Sequence, residues 1–290
     1  MRVLLIKTGF IHEKNLLGFR AMCDYAKAEL VETTQFEFLE EPWDLVWIPI
    51  GFVHPGRFVA ARRIILGPHN FVFPERYWVG ANLKDERAAY NCLSPWNRDV
   101  YAKFGGVGGL DLVCLPYPVD THRFTPVPNK KYDCFLYVKL RKTEDVKYAM
   151  RTLDQLGLTY KIIHYKSYKE EEYMDLLDTC TFGVWVGRHE SQGFALQEAL
   201  SCDVPLVVWD VDCMGEEWQA GDKQVYNGDQ AELKATAAPF WDARCGLLVQ
   251  RDSLKEGVRF MKKNWPVYRP RQFVLENLGV EACARRWFNI

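Results

Sequence analysis

Glu190-Ser-Gln-Gly-Phe-Ala-Leu-Gln-Glu198, running on into Ala199-Leu-Ser-Cys-Asp-Val-Pro205-Leu-Val-Val-Trp209, is the stretch on which the reading of this chain turns. The apolar run Phe182 to Val186 predicts a buried strand that ends just ahead of Glu190. Gly193 then opens a short helix, and Pro205 punctuates the entry to the next apolar run. Backbone amides around Gln192, Gly193 and Phe194 would stand at that helix N-terminus, where geometry and dipole favour an anion such as a diphosphate. Glu198 follows Gln192 by six residues, roughly 9 Å along a helix axis. That is about the reach from a bound phosphate to the hydroxyls of its ribose. Glu190, in the loop before the helix, can face a group on the other side of the phosphate. The layout suits a nucleotide-sugar.

The pattern E-x7-E, followed by E-A-x-x-x-x-x-P-x-V, resembles the donor-site signature of retaining glycosyltransferases of the GT-B fold, especially family 4. A second stretch supports the likeness. Leu115-Pro-Tyr-Pro-Val-Asp-Thr-His-Arg-Phe-Thr-Pro126 is similar to the family's interdomain connection, with Val119-Asp120, Phe124 and Pro126 matching and Pro118 standing where glycine is common. The resemblance spans most of the chain from Leu112 onward and is mainly architectural before it. It implies two Rossmann-like α/β domains facing across a cleft, with a C-terminal helix crossing back to the first. The expected boundaries are 1–119 for an acceptor-side domain, 120–270 for a nucleotide-sugar domain and 271–290 for the returning tail.

Outward from the motif, strands alternate with helical stretches, which argues for parallel sheets covered on both faces. Predicted strands in the first half are Arg2 to Ile6, Asp44 to Pro49, Arg63 to Gly67, Tyr90 to Ser94 and Leu112 to Leu115, with a helix from about Leu16 to Leu30. The second half predicts strands at Tyr132 to Tyr137, Tyr160 to His164, Phe182 to Val186, Leu206 to Trp209 and Gly246 to Val249. Helices are expected over Glu144 to Gly157 and Tyr168 to Cys180, and one or two more over the tail from Arg269 to Trp287.

Composition excludes several classes. The chain has 290 residues, 37 basic and 38 acidic, and the split is even: residues 1–119 hold 13 of each. No basic stripe or polybasic tail marks a nucleic-acid binder, and the pairs Arg62-Arg63, Lys130-Lys131, Lys262-Lys263 and Arg285-Arg286 read as solvated faces. Nine cysteines without a C-x-x-C pair read as reduced core residues with neither zinc nor a disulfide framework. With no long apolar run, neither a signal peptide nor a transmembrane helix is expected. A cytoplasmic location follows as the expectation, with a peripheral place at a membrane's cytoplasmic face left open.

Parallel sheets bind ligands beyond the C-terminal ends of their strands, and here those ends carry Gly9, Gly51, His69, Lys139 to Lys142, Tyr165-Lys166 and Glu190. Tyr137-Val-Lys139-Leu-Arg141-Lys142 stands where the family shows G-R followed by a lysine, the cations that hold donor phosphates; the glycine is missing and the spacing is compressed. The resemblance therefore implies donor binding by Gly9, Lys139, Arg141, Lys142, Tyr165, Gln192, Gly193, Phe194 and Glu198. It implies a donor-sugar contact for Glu190; His69, at a strand end of the first half, is the second candidate catalytic residue. Loop Gly51 to His54 is the candidate acceptor contact. Cations in that position stabilise a departing nucleoside diphosphate, so no metal or cofactor is expected, and Asp210-Val-Asp212 reads as a loop feature. The donor is a nucleotide diphosphate sugar, UDP- or GDP-linked, and the acceptor a hydroxyl on a glycan, lipid or small molecule. Two other readings stay open: a nucleotide-sugar epimerase of the same fold, and a catalytically silent protein that binds sugars or partners.

Overall fold

The computed structural model describes residues 1–35, 38–51, 53–69 and 72–289. It divides into two compact units, the first of Met1–Pro118 with Leu278–Ile290, the second of Val119–Asn277. The expected tail is shared between them. Helix α8 (Pro270–Asn277) packs on α6 (Phe194–Ser201) in the second unit, and α9 (Val280–Phe288) packs on α1 (Glu13–Tyr25) in the first.

The first unit is built on six parallel strands, β1 (Arg2–Ile6), β2 (Glu29–Thr33), β3 (Leu45–Ile48), β4 (Ile64–Leu66), β5 (Ala88–Cys92) and β6 (Asp111–Cys114), in the order β2-β1-β3-β4-β5-β6. Short runs such as Leu45-Val-Trp-Ile48 are apolar throughout because both faces of a parallel sheet are covered. One prediction is corrected here. The helix expected to reach Leu30 stops at Tyr25, Lys27 turns the chain at φ 50°, and Glu29–Thr33 is the edge strand β2. Its sequence, Glu-Leu-Val-Glu-Thr, is half polar because an edge strand is only partly buried, and that obscured it. Helices α2 (Arg76–Val79) and α3 (Pro95–Lys103) complete the unit, and neither was foreseen. Phe52 and Asn70, in the loops expected after β3 and β4, lie outside the described residues.

Helix α9 is held by Trp287, which is fully buried. Its ring lies 5.7 Å from Trp47, 5.3 Å from Phe19 and 5.3 Å from Tyr117, and its Nε1 donates to Pro116 O at 3.1 Å. Arg63 donates to the Trp287 carbonyl at 2.5 Å, satisfying an acceptor left over at the helix end.

The second unit repeats the plan with β7 (Tyr132–Lys139), β8 (Tyr160–His164), β9 (Cys180–Gly187), β10 (Leu206–Trp209), a two-stranded hairpin β11 (Trp218–Gln219) and β12 (Lys223–Gln224), and β13 (Gly246–Val249). The main sheet runs β13-β10-β9-β7-β8, all parallel. Helices α4 (Thr143–Gln155), α5 (Glu170–Thr179) and α7 (Leu254–Asn264) cover it; α7 lies where no helix was expected. Helix α4 buries Ala149 and Leu153, four apart on one face, and carries Glu144 and Asp145 in its first turn, where carboxylates favour the dipole. Both sheets thus follow one doubly wound order, in which the first strand lies between the second and third. The chain reverses direction across the sheet at that point, between β1 and β3 in one unit and between β7 and β9 in the other.

Candidate functional site

At the switch point of the second sheet the ends of β7 and β9 lie side by side, with Lys139 in register with Gly187. Arg188 N donates to Lys139 O at 2.9 Å, extending the ladder one residue before the chain turns away. Glu190 N then donates to Thr236 O at 3.0 Å. Gly193 follows with φ 85°, a left-handed conformation in which a Cβ would also press on Glu190 Cβ at 3.3 Å. Helix α6 starts there without a side-chain cap, and the Gln192 and Gln197 amides close the turn: Gln197 Nε2 donates to Gln192 O at 2.6 Å, and Gln192 Nε2 to Gln197 Oε1 at 3.2 Å. The positive end of the α6 dipole stands at Gly193-Phe194 as the motif predicts.

Lys139 and Glu190 meet directly. Nζ donates to both carboxylate oxygens at 2.6 and 2.8 Å, and both residues are buried. The same ammonium lies 4.2 Å from the centre of the Tyr165 ring, so Tyr165 joins the group by a cation–π contact. Lys142 Nζ sits 4.0 Å from the Trp218 ring centre on the β11–β12 hairpin. Glu198 is buried on α6. Tyr168 is held protonated mainly by burial, against its hydrogen bond with Tyr137, with the Glu198 charge adding to the rise.

Arg141 is placed differently from the neighbouring lysines. Its guanidinium is turned into the protein, reaching Asp145 Oδ2 at 3.3 Å, Gly187 O at 3.2 Å and Glu216 Oε2 at 3.4 Å, and it lies over the Trp209 ring at 4.8 Å. Only 2% of its side chain is exposed. Arg141 fastens the start of α4 to the end of β9; the nearby cation on the strand end itself is Arg188.

Sequence reasoning missed Arg188 and its partner Glu217, while His189 stood out only as a loop histidine beside Glu190. Arg188 donates to His189 O at 2.6 Å, and its Nε lies 3.5 Å from Glu217 Oε1. His189 Nε2 is 2.9 Å from Glu217 Oε2. His189 is fully buried; that burial lowers its pKa, against the bond to Glu217. Burial pushes the Glu217 carboxyl upward, but His189 and Arg188 outweigh it and hold it below the usual range. The position of Arg188 next to Glu190 was the only available signal. Asp210 also gains a role. It accepts from Thr236 Oγ1 at 2.9 Å and Ala237 N at 2.6 Å, fixing the turn whose carbonyl receives Glu190 N. Asp212 accepts instead from Gln250 Nε2 at 3.0 Å. Among the described residues no cluster of three or more His, Cys, Asp or Glu side chains is arranged to hold a metal ion.

His69 and Gly9 belong to the first unit. His69 follows β4 after a cis Gly67-Pro68 bond and is buried against Trp78 (ring centres 4.5 Å apart), with Nδ1 3.2 Å from Tyr90 Oη. Burial pushes its imidazole down to about 4, so it is neutral at pH 7. Gly9 follows β1 beside Ile50, whose methyl would lie 3.2 Å from an added Cβ.

No family model matches the sequence, and no curated protein matches it in sequence. Solved structures do match in fold. The chain aligns over 100% of its length with 98% of the apo lipopolysaccharide outer core galactosyltransferase WaaB, at a TM-score of 0.55 and 12% identity. It covers 98% of its length against 96% of the sucrose-phosphate synthase of Thermosynechococcus elongatus, at 0.55 and 10% identity. An E. coli structure described as trehalose-6-phosphate bound with UDP-2-fluoro glucose aligns over 100% of this chain and 97% of its own, at 0.56 and 10%. The fold is therefore GT-B, two Rossmann-like domains, as the motif reading implied.

Proposed function

We propose that this protein is a glycosyltransferase that moves a sugar from a nucleotide diphosphate sugar to an acceptor hydroxyl with retention of configuration. The observation that carries the reading is the buried Lys139–Glu190 pair at the β7/β9 switch point, beside the start of α6, which has no side-chain cap. A diphosphate seated on the Gly193-Phe194 amides would draw Lys139 and Lys142 toward it and release Glu190 to the hydroxyls of the donor sugar. Lysine ammonium groups and the helix dipole then stabilise the nucleoside diphosphate as the glycosidic bond breaks, a role that needs no metal ion. Gln192 borders the sugar, and Glu198 accepts from the ribose. The printed ligand of one fold neighbour, UDP-2-fluoro glucose, supports a nucleotide-sugar donor, UDP- or GDP-linked.

In this reading residues 120–270 bind the donor, residues 1–119 offer the acceptor, and His69, neutral at pH 7, is the acceptor-side group able to take or share a proton. The acceptor is a glycan, lipid or small-molecule hydroxyl. The protein would work in the cytoplasm, at or near a membrane's inner face. One observation favours a second reading, a catalytically silent GT-B protein: the cations of the site are already matched by carboxylates, Lys139 by Glu190 and Arg141 by Asp145 and Glu216.

Thermal stability against a panel of UDP-, GDP-, ADP- and dTDP-sugars, with and without EDTA, separates them. A ligand at about 100 times its Kd adds roughly 2.7 kcal/mol. A single stabilising donor whose effect survives EDTA and disappears in Glu198→Ala supports donor binding without a metal, and glycoside formation with an acceptor then separates a transferase from an epimerase. A flat response to every nucleotide would sink the donor-site reading.

A further inference from the structure

The second unit carries a basic and aromatic surface that the transfer reaction does not use. From Gly257 to Leu275 the chain contains five cations and no carboxylate, in a sequence of 37 basic and 38 acidic residues. Within that run Phe260 is 51% exposed, Trp265 37% and Val267 67%, on the last turn of α7 and the single 3-10 turn (Trp265–Val267) that follows it. Burying Leu254, Gly257, Val258 and Met261 against the sheet forces the other face of α7 outward. Arg259, Lys262, Lys263 and Arg269 are exposed around the three apolar side chains. Arg269 closes the turn by donating to Pro266 O at 2.6 Å and Tyr268 O at 2.7 Å, so its charge lies beside Trp265 and Val267. Their carboxylate neighbours are few: Arg259 pairs with Glu256, and Lys262 comes no nearer than 3.9 Å to Asp133.

We propose that this surface, Phe260 to Arg269, docks the protein on a membrane leaflet containing anionic lipid. An exposed tryptophan, phenylalanine and valine fit the boundary between headgroups and acyl chains. A cationic rim whose lysines have few carboxylate neighbours complements anionic headgroups, each lysine near the surface adding to the attraction. Lysine stems also follow apolar surface while their ammonium groups stay with the phosphates. The contact of Lys262 with Asp133, at the start of β7, puts the surface at the opposite end of the sheet from the β7/β9 switch point. Docking there leaves the strand ends that carry Lys139 and Glu190 uncovered. Lipid binding at this surface does not depend on sugar transfer, so either property can fail without the other.

Co-sedimentation of the full chain with vesicles of phosphatidylcholine alone, and of phosphatidylcholine mixed with phosphatidylglycerol, tests the proposal. Binding is expected only to the mixed vesicles, and it weakens as salt rises. Lys262→Gln with Lys263→Gln lowers the partition coefficient roughly 30-fold. Trp265→Ser with Val267→Ser lowers it at least about tenfold through lost apolar burial. Arg98→Gln with Lys103→Gln on α3 leaves it unchanged, and all these side chains are exposed, so melting temperatures stay at the wild-type value. Absence of binding to either vesicle overturns the proposal, and if an acidic protein is captured instead, the surface is a protein interface. An equal loss from the α3 pair, or full binding by the Trp265→Ser/Val267→Ser variant, also overturns it, because adsorption would then follow overall charge alone.

Discussion

The two units share one strand order but end their strands in opposite ways. At the β1/β3 switch point of the first unit, Thr8 Oγ1 donates to Ile50 O, and Gly51 at φ 91° stands where any Cβ would overlap Thr8; the charge next to Thr8, Lys7, pairs with Glu32 at 2.7 Å with both side chains partly exposed. At the β7/β9 switch point of the second, Lys139, Arg188, Glu190 and Glu217 crowd the same location. Among the described residues the first unit, whose last helix is anchored by a cluster of aromatic rings, has only partly exposed charge pairs at its strand ends, such as Lys7 with Glu32. The second spends buried ion pairs there. Topology makes the crevice, and side chains decide what it can hold. A buried pair such as Lys139–Glu190 is weak evidence for stability, since desolvation cancels much of its attraction. Among the described residues a buried pair stands at one switch point and not at the other, and that contrast is what the proposed donor site rests on.

Mutations can break that contrast, and the largest effect is expected in the aromatic unit. Trp287→Ala should cost about 3–5 kcal/mol through a large cavity among Trp47, Phe19 and Tyr117. A denaturation midpoint close to wild type would show that α9 contributes little to the first unit.

Next comes the charged edge. Lys139→Met alone strands Glu190 in a buried site and should cost about 3 kcal/mol, while the double variant with Glu190→Gln recovers most of it. Donor binding should be lost in both. A double variant as unstable as the single one would mean the pair is structural, and the contrast between the edges would lose its functional meaning.

His69 sharpens the comparison by pH. Its folded pKa, about 4, lies below the ordinary value of 6.5, so the unfolded chain binds the extra proton first as pH falls. This stabilisation is complete above pH 6.5 and is lost as pH falls toward 4, a difference of about 3 kcal/mol for a fully depressed histidine. Urea midpoints at pH 7 and pH 4.5 should converge in His69→Gln relative to wild type; unchanged pH dependence would show that His69 titrates normally.

Gly193→Ala asks less of the fold. An alanine at φ 85° costs about 1–2 kcal/mol, and the added methyl presses on Glu190, so donor affinity should fall further than stability does. Smallest of all is Arg62→Ala in the first unit. Its partner is Asp44 at 3.0 Å, but the arginine side chain is 83% exposed, so the midpoint should stay within about 0.5 kcal/mol.

Much of this was readable in advance because the relevant signals are local. Leu206–Trp209 coincides with its predicted strand, since a buried parallel strand is an uninterrupted apolar run, and the edge strands Tyr160–His164 and Gly246–Val249 match their predicted bounds as well. The helix after Gly193 was equally plain. Helix α7 was hidden because its polar and basic face outnumbers its apolar stripe, and β2 because it is an edge. The roles of Arg141 and Arg188 could not be separated by spacing. Both follow strands, but the direction in which each guanidinium turns is set by Asp145, Glu216 and Glu217, which lie elsewhere in the chain.

The sequence by itself determined the alternation of strands and helices and the start of a helix at Gly193, between Glu190 and Glu198. These depend on residues within one or two turns of each other. Only the tertiary structure decided that Lys139 pairs with Glu190, that Asp210 steadies the turn under Glu190, and that Arg141 faces inward. Those pairings join residues that are dozens of positions apart or select between nearby partners, and the choice is made by which strand ends the sheet order brings together and how deeply each charge is buried.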